Sequence, residues 1–253
     1  MKPYYQDDRV TLYCGDALAI LPQLAPDSVQ AVITDPPYSS GGMVRGDRMA
    51  STQTKYVQTD SISGKQLSSF SGDNRDQRGF YLWANLWISA AREALTEGGI
   101  FGSFSDWRQL PIMTDALQVG GIVWRGIVPW HKPNGRNTQG RFANNCEYFV
   151  WGSNGPRSKE LDQRSETLGG FWQENTPRER VHQTQKPTAL MEWLCRSVLP
   201  GETVLDPFAG SGSSLVAAAA TGRHAIGIEL SEQNCALIVE RLAHGTLELE
   251  ALI

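Results

Sequence analysis

Short apolar runs alternate with amphipathic segments along most of this chain. Seven runs are predicted strands: Val10–Cys14, Val29–Thr34, Ile100–Phe104, Ile122–Trp130, Tyr148–Trp151, Thr203–Leu205 and His224–Ile228. The segments between them predict helices at Ala17–Leu24, Phe80–Leu95, Leu110–Val119, Lys186–Leu199, Ser213–Thr221 and Ser231–Ala243. Strands that alternate with helices are typical of an α/β sheet with helices on both faces, so we expect a single domain over residues 1–253.

Two polar stretches interrupt this pattern. Residues 39–79 have almost no periodicity and contain six basic residues against four acids. Because a structureless loop of this length is uncommon in a compact domain, we expect a mobile insertion with a function. A second polar stretch, from Gly152 to about Gln185, is predicted to have no regular element. Gly98 and Gly99 are expected to end the helix that precedes them.

The charge of the chain is unevenly distributed. The net charge is −4, but the segment from Arg125 to Lys186 contains ten Lys and Arg against six acids. That segment is therefore +4 and the rest of the chain −8. A basic surface on an acidic body is typical of a groove for a polyanion, although a solvated loop explains the charge equally well.

Composition excludes several classes of protein. No apolar run approaches the roughly 20 residues that span a membrane, and the N-terminal residues MKPYYQDDRV lack the apolar stretch of a signal peptide. The four cysteines have no CxxC spacing, and no acid and histidine cluster has metal-ligand spacing. We therefore expect a reduced cytoplasmic protein without a metal or a membrane partner.

The stretch VLDPFAGSGSS, from Val204 to Ser214, indicates a nucleoside cofactor. A predicted strand ends at Asp206, and a glycine-rich turn then leads into a helix whose N-terminus supplies N–H donors. About twenty residues later another strand ends at Glu229, which could accept from ribose hydroxyls. The pyrophosphate pattern GxGxxG is absent, so S-adenosyl-L-methionine suits this turn better than NAD.

The stretch VITDPPYSSGG, from Val32 to Gly42, predicts a pocket for a planar amine. Two prolines cannot continue a strand, but they can hold neighbouring groups rigidly at its end. Asp35 and the carbonyl of Pro36 could accept the two hydrogens of an exocyclic amine, and Tyr38 could stack on its ring. Pro37 would keep the group rigid, because in-line methyl transfer depends on alignment.

Together, DPPY, DPFAGSG and HQTQKP (residues 182–187) resemble the β group of bacterial DNA amino-methyltransferases, which modify adenine N6 or cytosine N4. The resemblance implies the Rossmann-like, seven-stranded sheet of methyltransferases that depend on S-adenosyl-L-methionine (AdoMet). The sheet would be circularly permuted, so that the DPPY half precedes the glycine-rich loop. The resemblance also implies a short target-recognition segment, which together with the basic strands would occupy residues 125–181.

The resemblance assigns roles to individual residues. It implies a catalytic motif at Asp35, Pro36, Pro37 and Tyr38. It implies a cofactor site at Asp16, Ala17, Thr184, Lys186, Asp206, Phe208, Gly210, Gly212, Ser213 and Glu229, with Thr184 and Lys186 near the methionine end. Gln183 departs from the family's proline. Glu147 resembles an acid that often opens a strand in this family, without a role that we can derive.

The predicted reaction is methyl transfer to adenine N6 of a base flipped out of DNA. In the resembling family DPPY usually accompanies adenine and SPPY cytosine, so cytosine N4 is the alternative. Methylation of RNA or of a protein amide, and a silent DNA-binding subunit, are further alternatives. Cytosine-C5 chemistry is excluded, because none of the four cysteines follows a proline.

DNA is the expected partner. Basic residues expected to contact DNA are Arg45, Arg48, Arg125, Lys132, Arg136 and Arg141. The sequence leaves open whether the chain forms a homodimer and whether a cognate restriction endonuclease accompanies it.

Overall fold

The computed structural model describes residues 1–38, 75–135, 139–176 and 186–250, with side chains described up to residue 243. These residues form one nine-stranded sheet in the order β1-β2-β9-β8-β3-β4-β6-β5-β7. The strands are β1 (Tyr5–Gln6), β2 (Val10–Cys14), β3 (Val29–Thr34), β4 (Leu95–Ser105), β5 (Val123–His131), β6 (Cys146–Ser153), β7 (Trp172–Gln173), β8 (Thr203–Asp206) and β9 (His224–Glu229).

Helices connect most of these strands. They are α1 (Ala17–Ile20), α2 (Gln77–Ala94), α3 (Leu110–Val119), α4 (Lys159–Arg164), α5 (Thr188–Cys195), α6 (Ser213–Ala220) and α7 (Glu232–Glu250), with a 3₁₀ turn at Leu21–Gln23 after α1. The seven predicted strands and the alternating α/β pattern are confirmed. The structure adds the two-residue strands β1 and β7, and it adds α4 in a segment predicted to have no regular element.

The centre of the sheet is parallel and largely buried. β2, β9, β8, β3 and β4 run in the same direction, whereas β6 is antiparallel to both of its neighbours, β4 and β5. In β3, Val29, Ala31, Val32 and Ile33 are at most 1% exposed. A parallel strand covered on both faces needs such a continuous apolar run, which explains why VQAVIT does not alternate.

The helices form two groups on opposite faces of the sheet. α2 packs against α3 and against the 3₁₀ turn, whereas α6 packs against α5 and α7. The crossover from β2 to β3 and the crossover from β8 to β9 move in opposite directions along the sheet. Because parallel crossovers are right-handed, their helices lie on opposite faces.

Two predicted boundaries differ from the structure. Gly98 and Gly99 do not end a helix, because α2 ends at Ala94 and β4 begins at once with Leu95. Gly98 has φ of 71° inside this strand, next to a register shift against β3. At the other end of α2, residues 77–79 are helical rather than part of the loop, because Asp76 caps the helix by accepting from Gly79 N. The expected mobility of residues 39–74 concerns positions outside the described residues.

Within the described residues, no helix has both the length and the apolar character needed to cross a membrane.

Candidate active site

The two sequence motifs meet at one edge of the sheet. β3 ends at Thr34, directly before Asp35, and its neighbour β8 ends at Asp206. β9 lies on the other side of β8 and ends at Glu229. β3 and β8 are adjacent although they come from distant parts of the chain. Open α/β sheets bind ligands at such a switch point, outside the carboxyl ends of the strands.

Asp206 ties the two motifs together. Its Oδ1 accepts from Thr34 Oγ1 at 2.6 Å and from the backbone N–H of Phe208 at 3.0 Å. Its Oδ2 accepts from the hydroxyl of Ser214 on α6. Burial raises the pKa of Asp206, and these hydrogen bonds oppose the rise. The carboxylate therefore fixes the start of the glycine-rich turn to the end of β3.

The glycine-rich turn is held by Glu229 and is open towards the edge of the sheet. Glu229 Oε2 accepts from Gly210 N at 2.9 Å. Gly210 and Gly212 have φ of 54° and 79°, in the left-handed region that favours glycine. A Cβ on Gly212 would lie 2.9 Å from Ile238 Cγ1, whereas on Gly210 the nearest atom would be the Phe208 carbonyl oxygen at 3.9 Å. The backbone at Gly210 is therefore accessible to a ligand.

The two carboxylate oxygens of Asp35 differ in their partners within the described part of the chain. Its Oδ2 accepts from the ammonium of Lys186, which is only 4% exposed. Among the described residues, its Oδ1 is buried and has no hydrogen-bond partner. Leaving a buried carboxylate oxygen without a donor is costly, so such an atom suggests a partner that arrives from outside. An amine N–H is a suitable donor.

Glu147, at the start of β6, organises the other side of this pocket. Its Oε2 accepts from Tyr38 Oη at 3.0 Å and lies 3.2 Å from Lys186 Nζ. Its Oε1 accepts from Lys132 Nζ at 2.7 Å. Lys186 Nζ also lies 4.9 Å from the centre of the Phe104 ring. Asp35, Tyr38, Lys132, Glu147 and Lys186 thus form one connected polar network, called here the pocket network.

The charges of the pocket network shift its pKa values in different directions. Burial raises the pKa of Asp35 to about 6, against the opposing effect of the Lys186 ammonium. Burial would also raise the pKa of Glu147, but Lys186 and Lys132 outweigh it and lower that pKa to about 2. Burial disfavours the Lys186 ammonium, yet the carboxylates of Asp35 and Glu147 hold its pKa above the usual value. At neutral pH, Asp35 and Glu147 are therefore carboxylates and Lys186 is an ammonium group.

A family model described as DNA methylase, covering N6 and N4 enzymes, matches residues 29–240. The chain belongs to this DNA methylase family. The match spans the sheet from β3 to α7 and includes both motifs at the switch point.

Two curated relatives align over nearly the whole length of the methylase. The type II methyltransferase M2.DpnII of Streptococcus pneumoniae is 26% identical, over 95% of this chain and 92% of the relative. The type II methyltransferase M2.LlaDCHI of Lactococcus lactis subsp. cremoris is also 26% identical, over 96% of this chain and 93% of the relative.

Solved structures share the fold. A DNA modification methylase candidate from Thermus thermophilus, TTHA0409, in complex with S-adenosyl-L-methionine, superposes with a TM-score of 0.66 at 22% identity, over 94% of this chain and 95% of that chain. The cytosine-N4-specific PvuII DNA methyltransferase superposes with a TM-score of 0.67 at 18% identity, over 95% of this chain and 88% of that chain. The methylase therefore has the mixed α/β sheet of known methyltransferases.

The structure brings most of the predicted cofactor residues to the same edge. Asp16 caps α1 by accepting from Leu18 N at 2.9 Å, and the preceding Gly15 N donates to the Glu229 carbonyl. Ala17, in the first turn of α1, is buried.

The predicted residues next to the glycine-rich turn have different surroundings. Ser213 opens α6 directly after the turn. The ring of Phe208, which is partly buried, lies against Trp83 and Trp87, with its centre 5.1 Å from each of their ring centres. Thr184 lies outside the described residues.

Lysines predicted for other roles belong to the pocket network. Lys132 is predicted to contact DNA, but its ammonium is paired with Glu147 and its side chain is 16% exposed. Its charge is therefore neutralised within the protein. Lys186 is predicted near the methionine end of a cofactor, but both of its ion pairs are with Asp35 and Glu147.

The remaining predicted DNA contacts divide into two groups. Arg125 and Arg141 are exposed, and Arg125 Nε donates to Ser153 Oγ at 2.7 Å. Arg45, Arg48 and Arg136 lie outside the described residues.

Sequence reasoning missed the link between the two motifs and the position of Glu147. Thr34 ends an apolar strand, and no local signal shows that its hydroxyl binds Asp206. Glu147 stands out in the sequence only as an acid at the start of a strand. Strand register is the signal that could have found Glu147. The pairing of β4 with β6 aligns Ser105 with Tyr148 and so brings Glu147 to the edge where β3 ends.

Across the described ranges, no three His, Cys, Asp or Glu side chains are grouped as metal ligands would be.

Proposed function

We propose that the methylase transfers a methyl group from S-adenosyl-L-methionine to adenine N6 of a base flipped out of DNA. The buried Oδ1 of Asp35, which has no hydrogen-bond partner among the described residues, is the observation on which this proposal rests. It provides an acceptor for one amine hydrogen at the switch point, next to a glycine-rich turn that is open to a ligand. Membership of the DNA methylase family supports the substrate class.

The residues of the glycine-rich turn fit this cofactor. Gly210 presents open backbone, and Glu229 and Asp16 lie at the carboxyl ends of adjacent strands, where ribose and adenine groups could be bound. Complexes of TTHA0409 and of M1.HpyAVI, which share the fold, contain S-adenosyl-L-methionine. When bound, this cofactor supplies a methyl group on a positively charged sulfur.

The pocket network would prepare the amine for attack. Asp35 Oδ1 accepts one amine hydrogen, the Pro36 carbonyl accepts the other, and the ring of Tyr38 stacks on the base. The amine nitrogen would form a bond to the methyl carbon that the cofactor supplies as the carbon–sulfur bond breaks, and the electron pair of that bond would remain on sulfur. Asp35 Oδ1, which accepts one N–H of the amine, would take up the proton that the nitrogen loses and pass it to water. Asp35 and its neighbours contribute mainly alignment and electrostatic stabilisation of the developing positive charge.

The chain order supports a permuted form of the methyltransferase fold. The strand before the target-base motif, β3, precedes β8 and the glycine-rich turn in sequence, although they are neighbours in the sheet. We infer that the chain starts at the family's third strand and finishes with its first and second. The exposed Arg141 and Arg125 are proposed DNA contacts, because a base can be flipped only if the surrounding phosphates are held.

Cytosine N4 is the second candidate. Its amine could use the same oxygen of Asp35, and the cytosine-N4-specific PvuII enzyme has a similar fold. The adenine proposal rests on Asp35 as the first residue of DPPY, which in the resembling family usually accompanies adenine.

The test is to incubate the methylase with unmethylated DNA and S-adenosyl-L-methionine that carries a tritiated methyl group, then digest the DNA to nucleosides. We expect label in N6-methyladenine. Label in N4-methylcytosine would retain the mechanism and change the base. Absence of labelled nucleoside would overturn the proposed function.

A further inference from the structure

We propose that Lys186 and Glu147 are positioning residues that act through Asp35: Lys186 occupies one carboxylate oxygen so that the other faces the target amine, and Glu147 anchors Lys186. This inference rests on the proposed function, because it concerns how the same site is held ready.

The first argument is geometric. Lys186 is buried, and its ammonium lies between Oδ2 of Asp35 and Oε2 of Glu147. An ammonium held from two sides cannot follow the Asp35 side chain if that side chain rotates. Asp35 therefore has one orientation in which Oδ2 is paired, and in this orientation Oδ1 has no partner among the described residues.

The second argument is that Glu147 is itself fixed. Lys132 Nζ donates to its Oε1 at 2.7 Å, and Tyr38 donates to its Oε2 at 3.0 Å. One carboxylate thus positions both the ion partner of Asp35 and the ring on which the base would stack. A side chain that only neutralised charge would not need a hydrogen bond to Tyr38.

The third argument concerns charge. The groups that influence Asp35 are Lys186, Glu147 and Asp206. Lys186 favours the ionised form of Asp35, whereas Glu147 and Asp206 disfavour it. Since only ionised Asp35 is a strong acceptor for an amine hydrogen, methyl transfer should decline as pH falls through about 6. The pH at which methyl transfer declines should therefore rise when Lys186 is removed and fall when Glu147 is removed.

The experiment compares full-length Lys186→Met and Glu147→Gln with the wild-type chain. Lys2→Met and Glu97→Gln, both exposed and outside residues 125–181, are the matched controls and should behave as wild type. Single-turnover methyl transfer should fall about 10²-fold in Lys186→Met, because misplacement of a reacting group has that order of effect. The pH at which the rate of methyl transfer declines should be higher in Lys186→Met and lower in Glu147→Gln than in the wild-type chain.

Cofactor affinity separates this proposal from the role that the family resemblance implies for Lys186. If Lys186 acts through Asp35, Lys186→Met should bind S-adenosyl-L-methionine as wild type does in calorimetry. A tenfold or larger loss of affinity would assign Lys186 to the cofactor instead and would overturn the proposal.

A double variant guards against a trivial loss of folding. Asp35→Asn/Lys186→Met removes both charges of the buried pair. Its free energy of unfolding should therefore fall less than that of Lys186→Met alone. If Lys186 acts only through Asp35, the double variant and Asp35→Asn should have the same residual rate. A further loss in the double variant would contradict the proposal.

A readout that does not need methyl transfer keeps the inference separate from the proposed function. Chains with ¹³C-labelled aspartate carboxyl groups allow the titration of Asp35 to be followed by NMR. Its pKa should rise in Lys186→Met and fall in Glu147→Gln, even if wild type labels no nucleoside in DNA. Identical titrations in all three chains would refute the positioning role.

Discussion

The glycine-rich turn and the target-base motif lie side by side but are held by different kinds of contact. Around the turn, Asp206 and Glu229 accept from groups two to 19 positions away in sequence, apart from the distant Thr34 hydroxyl that binds Asp206. In the target-base motif, Tyr38 is bound by a residue 109 positions away and Asp35 by one 151 positions away. The first region is largely built from its own segment, whereas the second depends on the assembled sheet.

The two regions also differ in what they leave unsatisfied. Both oxygens of Asp206 and both oxygens of Glu229 have donors from the chain. Asp35 has a donor for one oxygen only, among the residues that the structure describes. The comparison suggests that the turn is complete before any ligand arrives, while the target-base motif reserves one acceptor for substrate.

The largest effect is expected from Asp35→Ala. Loss of the reserved acceptor should reduce methyl transfer by about 10³-fold, the order found when one stabilising hydrogen-bond group is removed from an active site. S-adenosyl-L-methionine should still bind, because the turn has its own contacts. Single-turnover rates and calorimetry measure the two quantities, and the exposed Asp115→Ala is the control. Wild-type-like turnover in Asp35→Ala would contradict the mechanism.

A smaller effect is expected at the long-range hydrogen bond that joins the two regions. Thr34→Val keeps the shape of the side chain and removes the donor to Asp206 Oδ1. Because both groups are buried, the free energy of unfolding should fall by roughly 1–3 kcal/mol. Thr34→Ser, which retains the hydroxyl, should lose less. Urea denaturation checks this, and equal losses in the two variants would show that packing rather than the hydrogen bond matters.

Substitution of the two glycines of the turn should affect stability at one position and mainly ligand binding at the other. In Gly212→Ala, left-handed strain and the contact with Ile238 should cost about 1–2 kcal/mol of stability. In Gly210→Ala the left-handed strain remains, but the new methyl meets only the Phe208 carbonyl oxygen at 3.9 Å, so the stability loss should be smaller. The affinity for S-adenosyl-L-methionine should fall about tenfold, an order-of-magnitude expectation for obstructing close backbone approach. Thermal denaturation and calorimetry measure the two. Unchanged cofactor affinity in Gly210→Ala would argue against a ligand at this backbone.

The smallest effect is expected outside both regions, at Arg141. Arg141→Gln should weaken DNA binding a few-fold and reduce the slope of log affinity against log salt by about 1, as loss of one phosphate contact does. Arg9→Gln is the control, since the exposed Arg9 directly precedes β2 at the opposite edge of the sheet. Fluorescence anisotropy at several salt concentrations would detect the change. Equal slopes for both variants would remove Arg141 from the DNA interface.

Sequence predicted the larger elements well because their signals are local. β3 is a continuous apolar run that ends at an acid and two prolines, and α3 has the predicted bounds. Prediction was weaker for strand segments that form only because a neighbouring strand pairs with them. β1 and β7 have only two residues each and exist because β2 and β5 present free edges to them. Gly98 and Gly99 have the composition of a helix end, yet the paired strand extends back through them.

Local sequence signals were sufficient to predict the α/β pattern, the glycine-rich turn, the acid at the end of β9 and the DPPY motif, because each depends on residues close together in the chain. The groups that surround Asp35, in contrast, are known only from the folded chain. Lys132, Glu147 and Lys186 come from separate segments, and their charges become partners only when the sheet brings the end of β5, the start of β6 and the chain before α5 to the edge where β3 ends. The energy of an ion pair depends on distance and burial, and neither can be read from spacing along the chain.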